Sequence, residues 1–185
     1  MTSLTVVCGP PGVGKSTLSK ELVSNGVIDA VRLSSDDVAI AIRDECKILD
    51  EIDPTCYLRC ANDAMLNIWN ELLSIGVNCI HDAAVPNMNR WERLASIAAA
   101  NYSDLDVICL DASDDLLATR VSERKSRQLI NHNEASLFKE IRIARQTYNW
   151  LYSSDLYTSF IKLNSESLGV TEMVDQIARL RAHRV

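Results

Sequence analysis

The residues Gly9-Pro10-Pro11-Gly12-Val13-Gly14-Lys15-Ser16 place permissive backbone, one lysine and one hydroxyl in the spacing G-x-x-x-x-G-K-[ST]. Gly12 and Gly14 can take backbone angles closed to other residues, so successive N–H groups can converge on the oxygens of a phosphate chain. Lys15 then offers a mobile cation to the β- and γ-phosphates, Ser16 a hydroxyl to Mg²⁺, and Thr17 a hydroxyl to the α-phosphate. A lysine on the first turn of a helix is electrostatically unfavourable unless an anion sits there. Gly9, Pro11, Gly12, Val13, Gly14, Lys15, Ser16 and Thr17 are therefore the expected cradle of a nucleotide polyphosphate, with ATP and Mg²⁺ as cofactors. No Asn-Lys-x-Asp occurs, which leaves adenine as the default base.

Three further groups could serve a reaction at such a cradle. Ser34-Ser35-Asp36-Asp37 would bring a carboxylate beside the γ-phosphate, where a phosphoryl acceptor needs a base; Ser35 is equally suited to cap a helix and the two acids to complement its dipole. Asp82 and Asp111 each end an apolar run and compete for the metal-facing role. The uninterrupted Val107-Ile108-Cys109-Leu110 favours Asp111, because Asn78 and His81 break the other run. Asp114 opens a helical pattern on which Arg120, Arg124 and Arg127 follow at offsets of four and three, so the three guanidinium groups share a face. Beside a phosphate loop, that row reads as a clamp able to neutralise transition-state charge.

These residues need a scaffold. Leu4 to Cys8, Val31 to Ser34, Val77 to His81, Val107 to Leu110 and Phe160 to Leu163 read as five short strands. Between them, Leu18 and Leu22, then Ala61, Met65, Ile68, Leu72 and Ile75, then Trp91, Leu94, Ala95 and Ala98 recur at helical spacing. The alternation predicts an α/β fold: a five-stranded parallel sheet between two helical layers, binding ligands beyond the carboxyl ends of its strands. The 185 residues suit a single domain spanning 1–185. The polar stretches Asp44 to Asp53 and Arg124 to Asn133 are candidate covering loops, the second within a lid region around 116–135. Pro10-Pro11, Pro54 and Pro86 fall at expected loops. The segment Ala135 to Tyr157, with Arg142, Arg145, Tyr148, Trp150 and Tyr152, could stack on bases, although such stripes more often pack a helix onto its sheet.

Composition excludes several classes. The net charge of -6, from 19 basic against 25 acidic residues, argues against a surface that grips duplex nucleic acid throughout. Cys8, Cys46, Cys56, Cys60, Cys79 and Cys109 form no Cys-x-x-Cys pair, and His81, His132 and His183 are scattered, so neither a metal cluster nor a secreted disulfide framework is expected. Cys8, Cys79 and Cys109 read as core thiols in a reducing compartment. No apolar stretch approaches the roughly 20 residues of a bilayer crossing, and no charged leader precedes Leu4, so a cytoplasmic protein is expected.

With these motifs in order, the chain resembles P-loop kinases of the polynucleotide 5′-kinase group, relatives of the zeta-toxin kinases with the nucleoside monophosphate kinase fold, over about residues 1 to 165. The resemblance implies that Asp36, rather than Asp37, takes the proton of the acceptor hydroxyl. It favours Asp82, in Ile80-His81-Asp82-Ala83-Ala84, over Asp111 at the metal, and implies that Arg120 and Arg124 contact the donor phosphates. Lys15, Asp36, Arg120 and Arg124 are then the catalytic set, Arg127 joins the nucleotide contacts, and Ser16 and Asp82 serve the metal. Two positions depart from the group: Ala39 stands where an arginine usually grips the acceptor's phosphate, with Arg43 one turn on, and Ala84 replaces an asparagine. Both fall on the acceptor side. The expected activity is transfer of the γ-phosphoryl of ATP to the 5′-hydroxyl of a nucleotide or single-stranded nucleic acid end. The alternatives are a small metabolite or nucleotide sugar as acceptor, or an ATP-hydrolysing switch acting on a partner protein.

Overall fold

The computed structural model of the protein describes residues 2–45, 54–84, 87–123 and 134–182. Five strands, β1 (Ser3–Cys8), β2 (Val31–Ser34), β3 (Cys79–Asp82), β4 (Asp104–Asp111) and β5 (Ser159–Asn164), form one parallel sheet in the order β2-β3-β1-β4-β5. The connecting helices are α1 (Lys15–Ser24), α2 (Ser35–Glu45), α3 (Pro54–Ser74), α4 (Met88–Ala100), α5 (Asp114–Ser122), α6 (Glu134–Tyr152) and α7 (Val170–Ala182). The predicted five-stranded α/β architecture with helices on both faces is what the chain adopts.

The central strand explains the layering. Along β1, Leu4, Val6 and Cys8 face a core built with Trp69, Trp91, Leu94, Tyr148 and Leu151 from α3, α4 and the second half of α6. Val7 faces the other core, with Leu18, Leu22, Leu117, Val174 and Ile177 from α1, α5 and α7. Leu137 and Ile141, in the first half of α6, join this second core, so α6 contributes to both layers. A strand buried on both faces is predominantly apolar, which is why Leu4 to Cys8, with Thr5 as its single polar residue, is legible as β1. The chain runs from β1 out to the edge strand β2, returns to β3 and crosses β1 to reach β4 and β5, and the switch in direction beside β1 opens a crevice at the carboxyl edge.

The structure corrects four details. On α3 the buried stripe is Ala61, Met65, Trp69 and Leu73, at strict four-residue spacing, while Ile68 is 39% and Ile75 73% exposed. Trp69 decides the rotation of the helix, because its Nε1–H donates to the buried His81 Nδ1 at 2.9 Å. Strand β3 begins at Cys79 instead of Val77, since the Val77 N–H closes the end of α3 on the Leu72 carbonyl. Pro54 opens α3, a first-turn position where its missing N–H costs nothing. Strand β4 also starts earlier than its apolar run, at Asp104, with Asp106 held by Ser159 and Arg181.

Cys8, Cys79 and Cys109 are buried free thiols, as expected. Among the described residues, no helix is long and apolar enough to cross a membrane. The two candidate covering loops fall almost wholly on residues 46–53 and 124–133, outside the described ones.

His81 carries the clearest pH signature of the fold. Burial, with a smaller contribution from the Arg90 charge, pushes its imidazole from 6.5 down to about 4. Below pH 6.5 the unfolded chain therefore takes up a proton that the folded ring refuses until about pH 4. The stability held by neutral His81 is complete above pH 6.5 and is lost as pH falls, by about 3 kcal/mol in all. Replacing it with a non-titrating acceptor, His81→Gln, is expected to flatten stability against pH between 6.5 and 4, measured by chemical denaturation of both proteins across that window.

Candidate active site

The phosphate loop turns from the end of β1 into α1 on three glycines with positive φ: Gly9 at 151°, Gly12 at 81° and Gly14 at 98°. Two are also fixed by neighbours. A Cβ on Gly9 would lie 2.5 Å from the Leu110 carbonyl oxygen, and one on Gly12 would lie 2.9 Å from that of Leu117. The loop is thus wedged between the end of β4 and the face of α5. At Gly14 no atom lies within 4 Å of the Cβ position, and this residue caps α1 without a side-chain acceptor or any acid in the first turn. The N–H groups that open α1 are therefore set to receive an external anion, which fits a polyphosphate. Lys15 Nζ donates to the carbonyls of Gly9 at 3.1 Å and Pro10 at 3.0 Å, which folds the ammonium over the loop. Val13 is buried, Pro11 and Ser16 are half-buried, and Thr17 is exposed.

A support beneath the loop had no sequence signal. The Gly9 N–H donates to the buried Tyr148 hydroxyl at 2.9 Å. Burial first, and the neighbouring Cys8 and Cys109 second, push the phenol's pKa well above its ordinary value, so it stays a neutral acceptor. Three residues earlier on α6, Arg145 donates to Asp111 at 3.1 Å, to Asp114 and to the Ala112 carbonyl at 2.6 Å. Burial opposes that charge, but the two carboxylates outweigh it and raise the pKa of Arg145. The aromatic and basic stripe of α6 is therefore structural where it is buried: Tyr148 and Arg145 lock the loop and the β4–α5 turn, while Tyr152 is 67% exposed.

The four acids separate cleanly. Asp82, at the end of β3, is buried and its Oδ2 accepts from Arg32 and from the Ser19 hydroxyl, the latter at 2.9 Å. Ser19 lies one turn beyond Ser16 and its hydroxyl is 3.3 Å from the Ser16 carbonyl, so Asp82 stands against the helix that carries Ser16. Asp111 belongs instead to Arg145. Asp37 leans toward Arg32 at 3.7 Å, whereas Asp36, exposed on the first turn of α2, lines a cavity of about 490 Å³ together with Gly9 and Pro11. Its other walls come from α3, α4 and α6, with Arg59, Asn62, Arg90 and Glu140 among them.

Of the arginine row, Arg120 is described. Its Cβ lies 3.6 Å from the Cβ position of Gly12, and its guanidinium donates to the Ser165 hydroxyl at 3.1 Å and carbonyl at 3.0 Å. It therefore flanks the loop and ties α5 to the turn after β5. Helix α5 ends at Ser122, and Arg124 and Arg127 lie outside the described residues. Mg²⁺ takes few protein ligands and completes its shell with phosphate and water. Ser16 is half-buried on the first turn of α1, the Asp82 carboxylate reaches that helix through Ser19 while paired with Arg32, and no group of three or more His, Cys, Asp or Glu side chains that could hold a metal occurs among the described residues.

A family model described as an AAA domain matches residues 4–149. The chain belongs to this family. This AAA-domain chain is 27% identical over 176 residues to a nucleotide-binding protein of Pseudomonas putida, covering 94% of its own length and 53% of the relative's, so it spans about half of that protein. Its fold is similar to that of a candidate kinase from Chloroflexus aurantiacus, at 17% identity and a TM-score of 0.72 over 98% of this chain and 97% of that one. It is likewise similar to a shikimate kinase from Acinetobacter baumannii solved with shikimate, at 16% identity and a TM-score of 0.64 over 100% and 95%. The sheet and loop are those of the P-loop kinases.

Tyr148 gives a direct check on the loop's support. Tyr148→Phe leaves the buried Gly9 N–H without its acceptor and is expected to lower the unfolding free energy by about 1 to 3 kcal/mol, measured by urea denaturation.

Proposed function

We propose that the protein is an ATP-dependent phosphotransferase that moves the γ-phosphoryl group to a hydroxyl of an acceptor held against Asp36. The observation that carries this reading is the position of Asp36 in the wall of a cavity shared with Gly9 and Pro11 of the phosphate loop. Donor and acceptor meet at that boundary. MgATP, when bound, supplies the transferable phosphoryl group and its leaving ADP.

The protein's part is positioning and charge. The loop N–H groups and Lys15 hold the phosphates, and Ser16 with Asp82 holds the metal. Asp36 accepts the proton of the acceptor hydroxyl as its oxygen bonds to phosphorus. Arg120 serves the donor side, since α5 packs directly on Gly12; Arg124 and Arg127 are assigned to the same role from the sequence alone.

The acceptor in this reading is a nucleotide, the 5′-hydroxyl end of a nucleic acid, or a small metabolite such as a nucleotide sugar. The cavity favours the small acceptors: an open cleft of about 490 Å³ lined by four helices is the size of a small-molecule site. An ATP-hydrolysing switch is the competing class, and it would turn over ATP without any hydroxyl compound.

Asp36→Asn is expected to lower label transfer from γ-³²P-ATP by about 10²- to 10⁴-fold while leaving ATP affinity unchanged. A panel of nucleosides, nucleoside monophosphates, nucleotide sugars and 5′-hydroxyl oligonucleotides provides the acceptors. Transfer at the wild-type rate in the variant would remove Asp36 from the reaction.

A further inference from the structure

The acceptor cavity contains charge and hydrogen-bonding capacity that phosphoryl transfer itself does not use. Arg90 sits on the first turn of α4, where its backbone N–H is capped by Asn87 Oδ1 at 3.0 Å. Its half-buried guanidinium lines the cavity and has no hydrogen-bond or ion-pair partner among the described residues; the nearby Asp63 pairs with Arg93 at 2.9 Å. A cation at a helix N-terminus works against the helix dipole, and a partly desolvated one costs more. Burial, and then the neighbouring Arg93, pull its pKa down against the attraction of Asp63. Nothing in the fold is gained by that arrangement.

Asn62, on α3, adds an independent observation. It is 5% exposed and lines the same cavity; its Nδ2 is satisfied by the Leu58 carbonyl at 2.6 Å, but its buried Oδ1 has no partner. A buried acceptor without a donor is costly unless a ligand supplies one. Arg59, exposed and one turn before Asn62 on the same helix, also lines the wall, with its guanidinium 3.9 Å from Cys56 Sγ. Ala39, where the resembling kinases carry their acceptor arginine, is fully buried and packs with Tyr57 and Ala61. The cations at this cavity come from α3 and α4 instead.

We infer that Arg90, with Arg59 beside it, anchors an anionic group of the acceptor, and that Asn62 Oδ1 accepts a hydrogen bond from the same molecule. The acceptor is then a small alcohol carrying its own phosphate or carboxylate. This rests on the phosphotransferase reading and specifies its second substrate.

The test compares matched acceptors differing in the anionic group: glycerol, glycerol 3-phosphate and glycerate, and a nucleoside with its 3′-monophosphate. In the wild type the anionic member of a pair is expected to have the higher kcat/KM. Arg90→Gln should raise KM for it by about 10- to 100-fold without affecting the neutral member, and Arg90→Lys should recover part of the loss. Equal use of neutral and charged acceptors, or an Arg90→Gln effect shared by both, overturns the anchor and leaves the kinase reading intact.

ATP turnover independent of every acceptor would count against the kinase reading itself, and the anchor is then judged by binding alone. With the phosphate loop saturated by magnesium and a non-hydrolysable ATP analogue, calorimetry with inorganic phosphate and with acetate should find one weak site in the wild type and none in Arg90→Gln. Phosphate favoured over acetate identifies a phosphorylated acceptor, and the reverse a carboxylated one. No such site, or one unchanged in the variant, refutes the anchor. Asn62→Asp, on a different helix, repels the same anion and should weaken phosphate binding by about tenfold or more; it decides the matter should Arg90→Gln fail to fold.

Discussion

The protein depends on a backbone constraint: a loop of eight residues must turn from a buried strand into a helix with its N–H groups facing outward. Such a turn needs left-handed backbone, which Gly12 and Gly14 provide, and close approach, which the missing side chains of Gly9 and Gly12 provide against Leu110 and Leu117. The loop is then held from below, where Tyr148 accepts the Gly9 N–H, and from the side, where α5 closes on Gly12. Lys15 folded over the carbonyls of Gly9 and Pro10 adds positive charge where the α1 dipole already presents it. An anion is what resolves that concentration of charge.

Around this point the arginines divide the labour. Arg32 holds Asp82 against α1, Arg145 holds Asp111 and Asp114 at the β4–α5 turn, and Arg120 ties α5 to the turn after β5. Each neutralises or orients groups at the carboxyl edge of the sheet. Arg90 differs in having no such partner within the described fold, and it lies on the side of the loop where Asp36 lines the cavity. In the proposed reaction the donor side is organised by internal contacts, and the acceptor side is completed by its ligand.

Much of this was readable in the residues, for identifiable reasons. The central strands β1 and β4 and the loop announce themselves because a strand buried on both faces is predominantly apolar and a phosphate turn must be glycine-rich, whereas the edge strands β2 and β5 are only partly buried. The ordering of Asp36 over Asp37 came from resemblance, and the two side chains do diverge, one toward the cavity and the other toward Arg32. The apolar pattern favours Asp111 and the resemblance Asp82; the arginine that each meets, contributed by β2 for Asp82 and by α6 for Asp111, is a long-range contact that no pattern carries. The role of Tyr148 was hidden for the same reason: 139 residues separate it from Gly9. On α3, the apolar Ile68 and Ile75 suggested the wrong face, because the indole of Trp69 and its hydrogen bond to His81 outweigh two isoleucines left at the surface.

The claim that the loop gathers a triphosphate is tested most directly by calorimetric titration of ATP, with and without magnesium, into the intact protein and into Lys15→Ala. The account predicts one nucleotide bound per chain, tightened by magnesium, and binding lost or greatly weakened in the variant. Equal ATP affinity in both proteins, or no magnesium-dependent heat in either, would contradict it.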